Sequence, residues 1–354
     1  RRRQADRHDS RASDYHFATS PRDCNSVGES NSSAALGMTA GISKLKIAIV
    51  GAGVMGRLLT LRLHAAGHAV TLWDRRPARQ GGSSWIAAGM LAPHCELEHA
   101  ELLIHKMGVE SLRLWPQILA GLEGPVFFQK KGSLVVAHPQ DRGELQRFSA
   151  RLRVKLESDP HSGKELASED LRTLEPNLFE RFSEGLFFPE EGQISPPDFF
   201  NATAETFRRH SIRCFFETAA PPSLFLSSPE FDWTIDCRGI EASIEPDLRG
   251  VRGELILVEA PLVQLNRPIR IMHPRYPLYI VPRPQNRFLI GATQLEDASL
   301  DPISIRSTLE LLSAAYAVHP SFAEGQIIET RVGLRPAFPD HLPRIRIPSP
   351  GQMR

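Results

Sequence analysis

The stretch Lys44–Asp74 constrains the fold more than any other part of the chain. Lys44–Val50 (KLKIAIV) is rich in Ile and Val with little alternation, the pattern of a strand buried on both faces. Gly51-Ala-Gly-Val-Met-Gly56 follows at once. Arg57–Ala66 then carries Leu58, Leu59, Leu61 and Leu63, which fits a helix packed on a sheet and stopped by Gly67. A second strand, His68–Trp73, ends at Asp74. The spacing predicts a β-α-β unit with an acid at the end of its second strand.

Each part of that unit has a physical reason. Gly51 allows the tight strand-to-helix turn, Gly53 lets the backbone approach a pyrophosphate, and Gly56 permits close packing of helix on strand. The helix start at Val54 and Met55 offers unsatisfied N–H groups and a partial positive charge to phosphates. Asp74, with Arg75 beside it, lies 18 residues beyond Gly56, near the offset of about 20 for a carboxylate that accepts from ribose hydroxyls. These features predict a dinucleotide site. They leave NAD and FAD open, because both present the same ADP half.

The next segment, Gly81-Gly-Ser-Ser-Trp-Ile-Ala-Ala-Gly-Met-Leu-Ala-Pro93, reads either as a flexible linker or as part of the cofactor bed. In the second reading Ser83 and Ser84 bond phosphate oxygens, while Ala88, Gly89 and Met90 let a flat ring lie against the backbone. Lys and Arg total 42 against 41 Asp and Glu, a net charge of +1, so there is no field to draw in nucleic acid. No apolar run approaches the ~18 residues of a membrane span. Four cysteines without CxxC spacing suit a reducing, cytoplasmic compartment and argue against a structural zinc site. The thirteen histidines are dispersed, and no metal set or Ser–His–Asp arrangement emerges.

Further along, Ala100–Leu122 shows helical spacing through Leu103, Met107, Leu114 and Ile118, with a break or kink at Pro116. Asp198–His210 reads as a helix, and Ile212–Phe216 and Phe231–Cys237 as strands returning to the nucleotide domain. From Val251 to Gly291 the β signals dominate, with prolines between strands that point to antiparallel pairing. Ile303–Val318 is amphipathic, with Ile305, Leu309, Leu312 and Tyr316 on one face.

GSSWIAAGMLAP after VGAGVMG and an acid resembles the D-amino-acid oxidase family of FAD-dependent amine oxidases, and within it the glycine oxidases of thiamine biosynthesis. Val251-Arg-Gly-Glu254, Tyr279-Ile-Val-Pro-Arg283, Ile290-Gly-Ala-Thr293 and Gly333-Leu-Arg-Pro336 repeat the likeness over about residues 44–345. The resemblance implies an α/β (α+β overall) chain: a discontinuous Rossmann-like FAD-binding domain with an antiparallel-sheet substrate domain. The expected segments are 44–110 and 196–250 for FAD, 111–195 and 251–330 for substrate, and 331–354 as an incomplete return.

By the same likeness, Arg335 pairs with the substrate carboxylate and the Tyr279 hydroxyl assists. Arginine suits that task because its planar fork meets two oxygens at once. The bland alternatives are a structural Arg335–Asp340 pair and a half-buried sheet tyrosine. Arg283 reads as structural, and Glu96 and Glu98 as solvated. The implied reaction moves a hydride from a small amino acid to flavin, which needs no catalytic residue from the protein, and oxygen re-oxidises the flavin to give peroxide. The alternatives are a sarcosine or D-amino-acid dehydrogenase, or a non-catalytic fragment; a homo-oligomer is left open.

Both ends depart from the family pattern. Residues 1–43 read as a disordered or non-native leader, with the first methionine at Met38. Relatives continue past the GLRP motif into a glycine-rich strand and helix, whereas here HLPRIRIPSPGQMR follows Asp340. The expectation is a chain truncated at its C-terminus, with no closing strand, a bare sheet edge and weakened FAD binding.

Overall fold

The computed structural model describes residues 43–353 apart from 99, 157–162, 179, 226–228, 243–245, 275–277 and 349. The expected leader, with Cys24, lies almost wholly outside the described residues.

The β-α-β unit forms as its pattern dictates. Lys46–Val50 and Ala69–Trp73 pair in parallel, joined by the helix Val54–Ala65. Arg213–Phe215 adds outside Ala69–Trp73, and Trp233–Asp236 outside Lys46–Val50, both parallel. Such a sheet must be covered on both faces. One face packs Ile47, Ile49, Val70 and Leu72 against Phe207 and Ile212, and the other packs Ala48, Val50 and Trp73 against Leu224.

The bare edge is not found. Gln352–Met353 pairs in parallel with Trp233–Asp236, so the sheet has five strands. Gly351 makes this turn in the left-handed region (φ 78°), Thr234 N–H donates to its carbonyl (2.8 Å), and the Gln352 amide donates to the Phe225 carbonyl (2.9 Å). A two-residue strand held by a glycine and one side chain has no periodicity to betray it.

The second sheet has eight strands. In order they are Gln326–Ala337, Arg249–Glu259, Arg287–Gly291, Leu278–Arg283, Ile269–Met272, Ser133–Ala137, Glu184–Phe188 and Lys164–Ala167. Every neighbouring pair is antiparallel except Ile269–Met272 with Ser133–Ala137, which is parallel. The chain thus joins two antiparallel stretches, far apart in sequence, at one parallel seam. Arg249–Glu259 and Gln326–Ala337 are long partners that run unbroken across the boundaries expected at 250 and 330. One face of the sheet buries Ile256, Ile280, Phe288 and Ile290 under the helix Ile305–Val318.

Two helices turn most of the stripe their spacing predicts away from the core, although Ile118 and Leu312 do pack against it. In Leu102–Ala120 the buried residues are His105, Leu112 and Trp115, whereas Leu103 and Met107 stay about half exposed. Trp115 sets that orientation by packing edge-on against Phe199 (5.4 Å between ring centres). The helix also runs through Pro116 without ending. In Ile305–Val318 the buried side chains are Ser307, Leu311, Ala315 and Val318, leaving Ile305, Leu309 and Tyr316 in solvent. Small and branched residues let this helix approach the sheet more closely than the bulkier stripe would. No helix among the described residues is long and apolar enough to cross a membrane.

Candidate functional site

Gly51 and Gly56 of the first turn are each held by a near neighbour. Gly51 has φ 100°, and a Cβ there would lie 2.6 Å from the Cys237 carbonyl oxygen. At Gly56 a Cβ would fall 1.8 Å from the Gly51 carbonyl oxygen, so helix and strand could not meet. Gly53 is different: its nearest neighbour would be Ser84 Oγ at 3.5 Å, which leaves the backbone open on the cleft side. Gly53 also begins the helix with no side chain of its own to cap it, so beyond the Val54 N–H held by Ser84 the first-turn N–H groups are left to an incoming acceptor.

A cleft of about 260 Å3 opens here, lined by Gly51, Gly53, Asp74, Arg75, Ser83 and Ser84 among the residues expected from sequence. That is below the roughly 300–1,000 Å3 that encloses a whole small ligand. It suits one end of an elongated molecule. Asp74 is part of its lining, with Oδ2 accepting from Ala52 N (2.6 Å) and Oδ1 from Arg76 N (2.7 Å). Each oxygen keeps a second lone pair for a hydroxyl. Ser84 Oγ accepts from Val54 N (3.2 Å), and Ser83 Oγ donates to the Leu334 carbonyl, tying the Ser83–Ile86 turn to the first helix and to the larger sheet.

Other expected positions lie elsewhere. Met55 is exposed, and Gly56 is buried in packing rather than in the cleft. Ala88 and Met90 pack beneath the larger sheet with Leu255, Val281 and Leu289. Gly89 is left-handed (φ 71°), and a Cβ there would lie 2.1 Å from the Ile194 carbonyl oxygen. Sequence reasoning missed the far lip of the cleft, Thr218–Ala220 and Ile240–Glu241. Glu241 pairs with both Arg75 (2.6 Å) and Arg76 (2.5 Å). It also missed Arg57, fully buried and donating to Ala52 O (2.8 Å), Thr203 Oγ1 (2.7 Å) and Ala78 O (2.6 Å). Burial pulls that guanidinium down to about 10. An arginine just past a glycine motif gives no sign in sequence that it is a structural clamp.

On the larger sheet, Tyr279, Gly291, Leu255 and Arg331 stand in register across four strands and share the face turned toward Ile86 and Ala88. Arg335 follows Arg331 by four residues, so it faces the same way. It is exposed and has no ion-pair or hydrogen-bond partner among the described residues. Asp340 pairs instead with Arg344 (2.9 Å), so the structural alternative for Arg335 is not realised. The Tyr279 hydroxyl is likewise without a hydrogen-bond partner among the described residues. Burial pushes its phenol up, Glu96 adds to that, and Arg270 and Arg335 pull it back. Arg335 and Tyr279 thus lie on one face of the sheet, with the arginine's charge felt at the phenol. Arg283 is used up internally: it donates to Gln193 Oε1 (2.5 Å), Ile194 O (2.9 Å) and Ala88 O.

Comparison with known proteins agrees with this geometry. The chain is 40% identical over 303 residues to the proposed thiamine biosynthesis oxidoreductase ThiO of Rhizobium etli, covering 85% of this chain and 87% of that one. It is 26% identical over 325 residues to glycine oxidase of Geobacillus kaustophilus, covering 84% and 82%. The crystal structure of that enzyme superposes with a TM-score of 0.72 over 88% of each chain at 24% identity. L-proline dehydrogenase from P. horikoshii shares the fold at 15% identity, with a TM-score of 0.71 over 88% of this chain and 87% of that one. The family model for FAD dependent oxidoreductase (DAO) matches residues 46–352, and with the uncapped helix start, the open Gly53 and the acid at Asp74 it makes this chain an FAD-dependent amino-acid oxidoreductase of that family.

Proposed function

We propose that this protein is an oxidase of glycine, or of a similarly small amino acid, that works in the cytoplasm and supplies thiazole synthesis for thiamine. The observation that carries this reading is that the Arg335 guanidinium and the Tyr279 hydroxyl share one face of the sheet and neither has a bonding partner among the described residues. Arg335 takes the substrate carboxylate in its fork, and Tyr279 donates a further hydrogen bond to it. Together they fix the direction in which the α-carbon points, which is the protein's main contribution to rate. Gly51, Gly53 and the helix start at Val54 and Met55 hold the pyrophosphate of FAD, Asp74 a ribose, and Ser83 and Ser84 flank the phosphates. Bound FAD supplies the hydride acceptor and the route to oxygen, so that glycine, oxygen and water give glyoxylate, ammonia and hydrogen peroxide.

Support for glycine and for thiamine comes from the names of the two relatives above. The decisive test is a visible spectrum of the full chain mixed with FAD, desalted, and given glycine without oxygen. The flavin band is retained, bleaches, and returns on admitting air with release of peroxide. A retained band that bleaches with sarcosine or D-alanine but not glycine would refute the substrate assignment. The cofactor half is tested separately. Asp74→Asn leaves one acceptor oxygen where the carboxylate has two. It gives up the Ala52 or the Arg76 bond as well as a charge-assisted bond to the ribose, and it weakens FAD binding by at least about tenfold, read from quenching of flavin fluorescence. An unchanged affinity would remove Asp74 from the site.

A further inference from the structure

Asp74 is followed by two arginines, and both line the nucleotide cleft with it. Their backbone is fixed: Arg76 N donates to Asp74 Oδ1 (2.7 Å), Thr218 N to the Asp74 carbonyl (3.1 Å) and Glu217 N to the Arg76 carbonyl (3.1 Å). The Arg76 guanidinium lies against Gly82, where a Cβ would stand 3.6 Å from its Cζ. Both side chains then reach one acid on the far lip. Glu241 Oε1 meets Arg75 Nη2 at 2.6 Å and Arg76 Nη2 at 2.5 Å, although 165 residues of chain separate it from Arg76.

An acid at the end of the second strand takes an unmodified ribose hydroxyl, whereas an arginine near that position accommodates a phosphate on it. This chain carries both devices side by side. Arg238, the third arginine of the cleft, is already held by Asp236 at two points (2.9 and 2.7 Å). Asp74 and Glu241 are the acids among the described residues that line the cleft, and Asp74 spends its oxygens on backbone N–H groups. Glu241 alone neutralises the arginine pair. Its side chain is 21% exposed, so its charge is not lost to solvent as it would be on an open surface.

We propose that Glu241 sets the nucleotide specificity of the cleft: by occupying Arg75 and Arg76 it leaves Asp74 to select a ribose with free hydroxyls, and it turns away dinucleotides that carry a 2′-phosphate. This rests on the reading of Asp74 as the ribose acceptor given above. A 2′-phosphate entering the cleft is repelled by Asp74 and finds both guanidiniums already paired. Neutralising Glu241 frees the two of them for charge-assisted bonds to phosphate. The bonds that Asp74 makes to Ala52 and Arg76, and the helix start that faces the pyrophosphate, are untouched by that change.

ADP-ribose and its 2′-phosphate differ only at that hydroxyl, and neither carries a flavin. Their dissociation constants are read by calorimetry on the full chain free of FAD, in physiological salt so that charges felt only at a distance are screened. The wild type binds ADP-ribose more tightly by about tenfold or more. Glu241→Gln strengthens the 2′-phosphate by roughly 10- to 100-fold and changes ADP-ribose by less than about threefold. Replacing Arg75 and Arg76 by Gln in that variant takes the gain away. A gain in binding requires an intact cleft, so a disturbed fold cannot imitate it. If Glu241→Gln leaves the preference intact, strengthens both probes alike or binds neither, Glu241 is not the selector and the proposal falls. It falls equally if the gain survives the loss of both arginines. The underlying reading fails in a different way: Asp74→Asn then leaves the affinity for ADP-ribose unchanged, whatever Glu241 does.

Discussion

Arg335→Gln lowers kcat/KM for glycine by roughly 10²- to 10³-fold while leaving the melting temperature within a degree or two of wild type. The size follows from removing one member of a desolvated, hydrogen-bonded charge pair, which costs about 2–5 kcal/mol. The selectivity of the effect follows from the structure. Arg335 is exposed and bonded to nothing among the described residues, so the folded chain loses no contact with it. Arg335→Lys restores charge without the two-pronged geometry and recovers only part of the loss. Tyr279→Phe costs about tenfold, the worth of one hydrogen bond to a charged acceptor. Steady-state rates with glycine, set beside thermal denaturation, check all three. A melting temperature that falls together with activity would give Arg335 back its structural reading, and unchanged kinetics would exclude it from the carboxylate site.

What the sequence made legible is what is contiguous within it. The strand, glycine turn, helix and acid of residues 46–74 are neighbours in the chain, and the periods of two and 3.6 residues report them directly. Ser83 and Ser84 were found for the same reason. The far lip at Thr218–Ala220 and Glu241 was not, because it meets Asp74 only after the sheet has assembled around Trp73 and Phe215, stacked at 5.3 Å. Helix faces failed differently. Ile305–Val318 carries two apolar stripes, and spacing cannot tell which a sheet prefers; the stripe with Ala315 and Ser307 goes inward. Glu96 and Glu98 were read as solvated, which is right for Glu96 in exposure but wrong for Glu98, and nothing in the sequence marked Arg57 or Glu191 as buried. Arg335 and Tyr279 came from family likeness alone, since no local pattern brings two strands separated by more than forty residues to one face.

Arg252→Met destabilises the protein by about 3–5 kcal/mol at neutral pH, the usual cost of stranding one member of a buried ion pair. Arg252 and Glu254 lie two apart on one strand, both almost wholly buried, joined by Nη2 at 2.7 Å and Nε at 3.0 Å. The same guanidinium donates to the Ser299 (2.6 Å), Asp301 (2.8 Å) and Pro302 (3.1 Å) carbonyls, so it also pins the connection leading into the helix Ile305–Val318. The pH dependence separates charge stranding from lost packing. Burial pushes the Glu254 carboxyl up, but bonds from Ser307, Arg252 and Thr293 outweigh it and hold the group below its ordinary 4.5. A depressed folded value gives the wild type stability that is present above the unfolded pKa and lost as pH falls through the folded one. Without Arg252 burial wins, the folded value rises, and the variant instead gains stability as Glu254 takes up a proton on acidification. The two trends converge, so the deficit measured by urea denaturation is largest near pH 7.5 and shrinks toward pH 4.5. Adding Glu254→Leu to the variant recovers much of the loss, because an apolar side chain leaves no charge to strand. A deficit that stays constant between those two pH values would show that Arg252 stabilises through its three carbonyl contacts and not through Glu254.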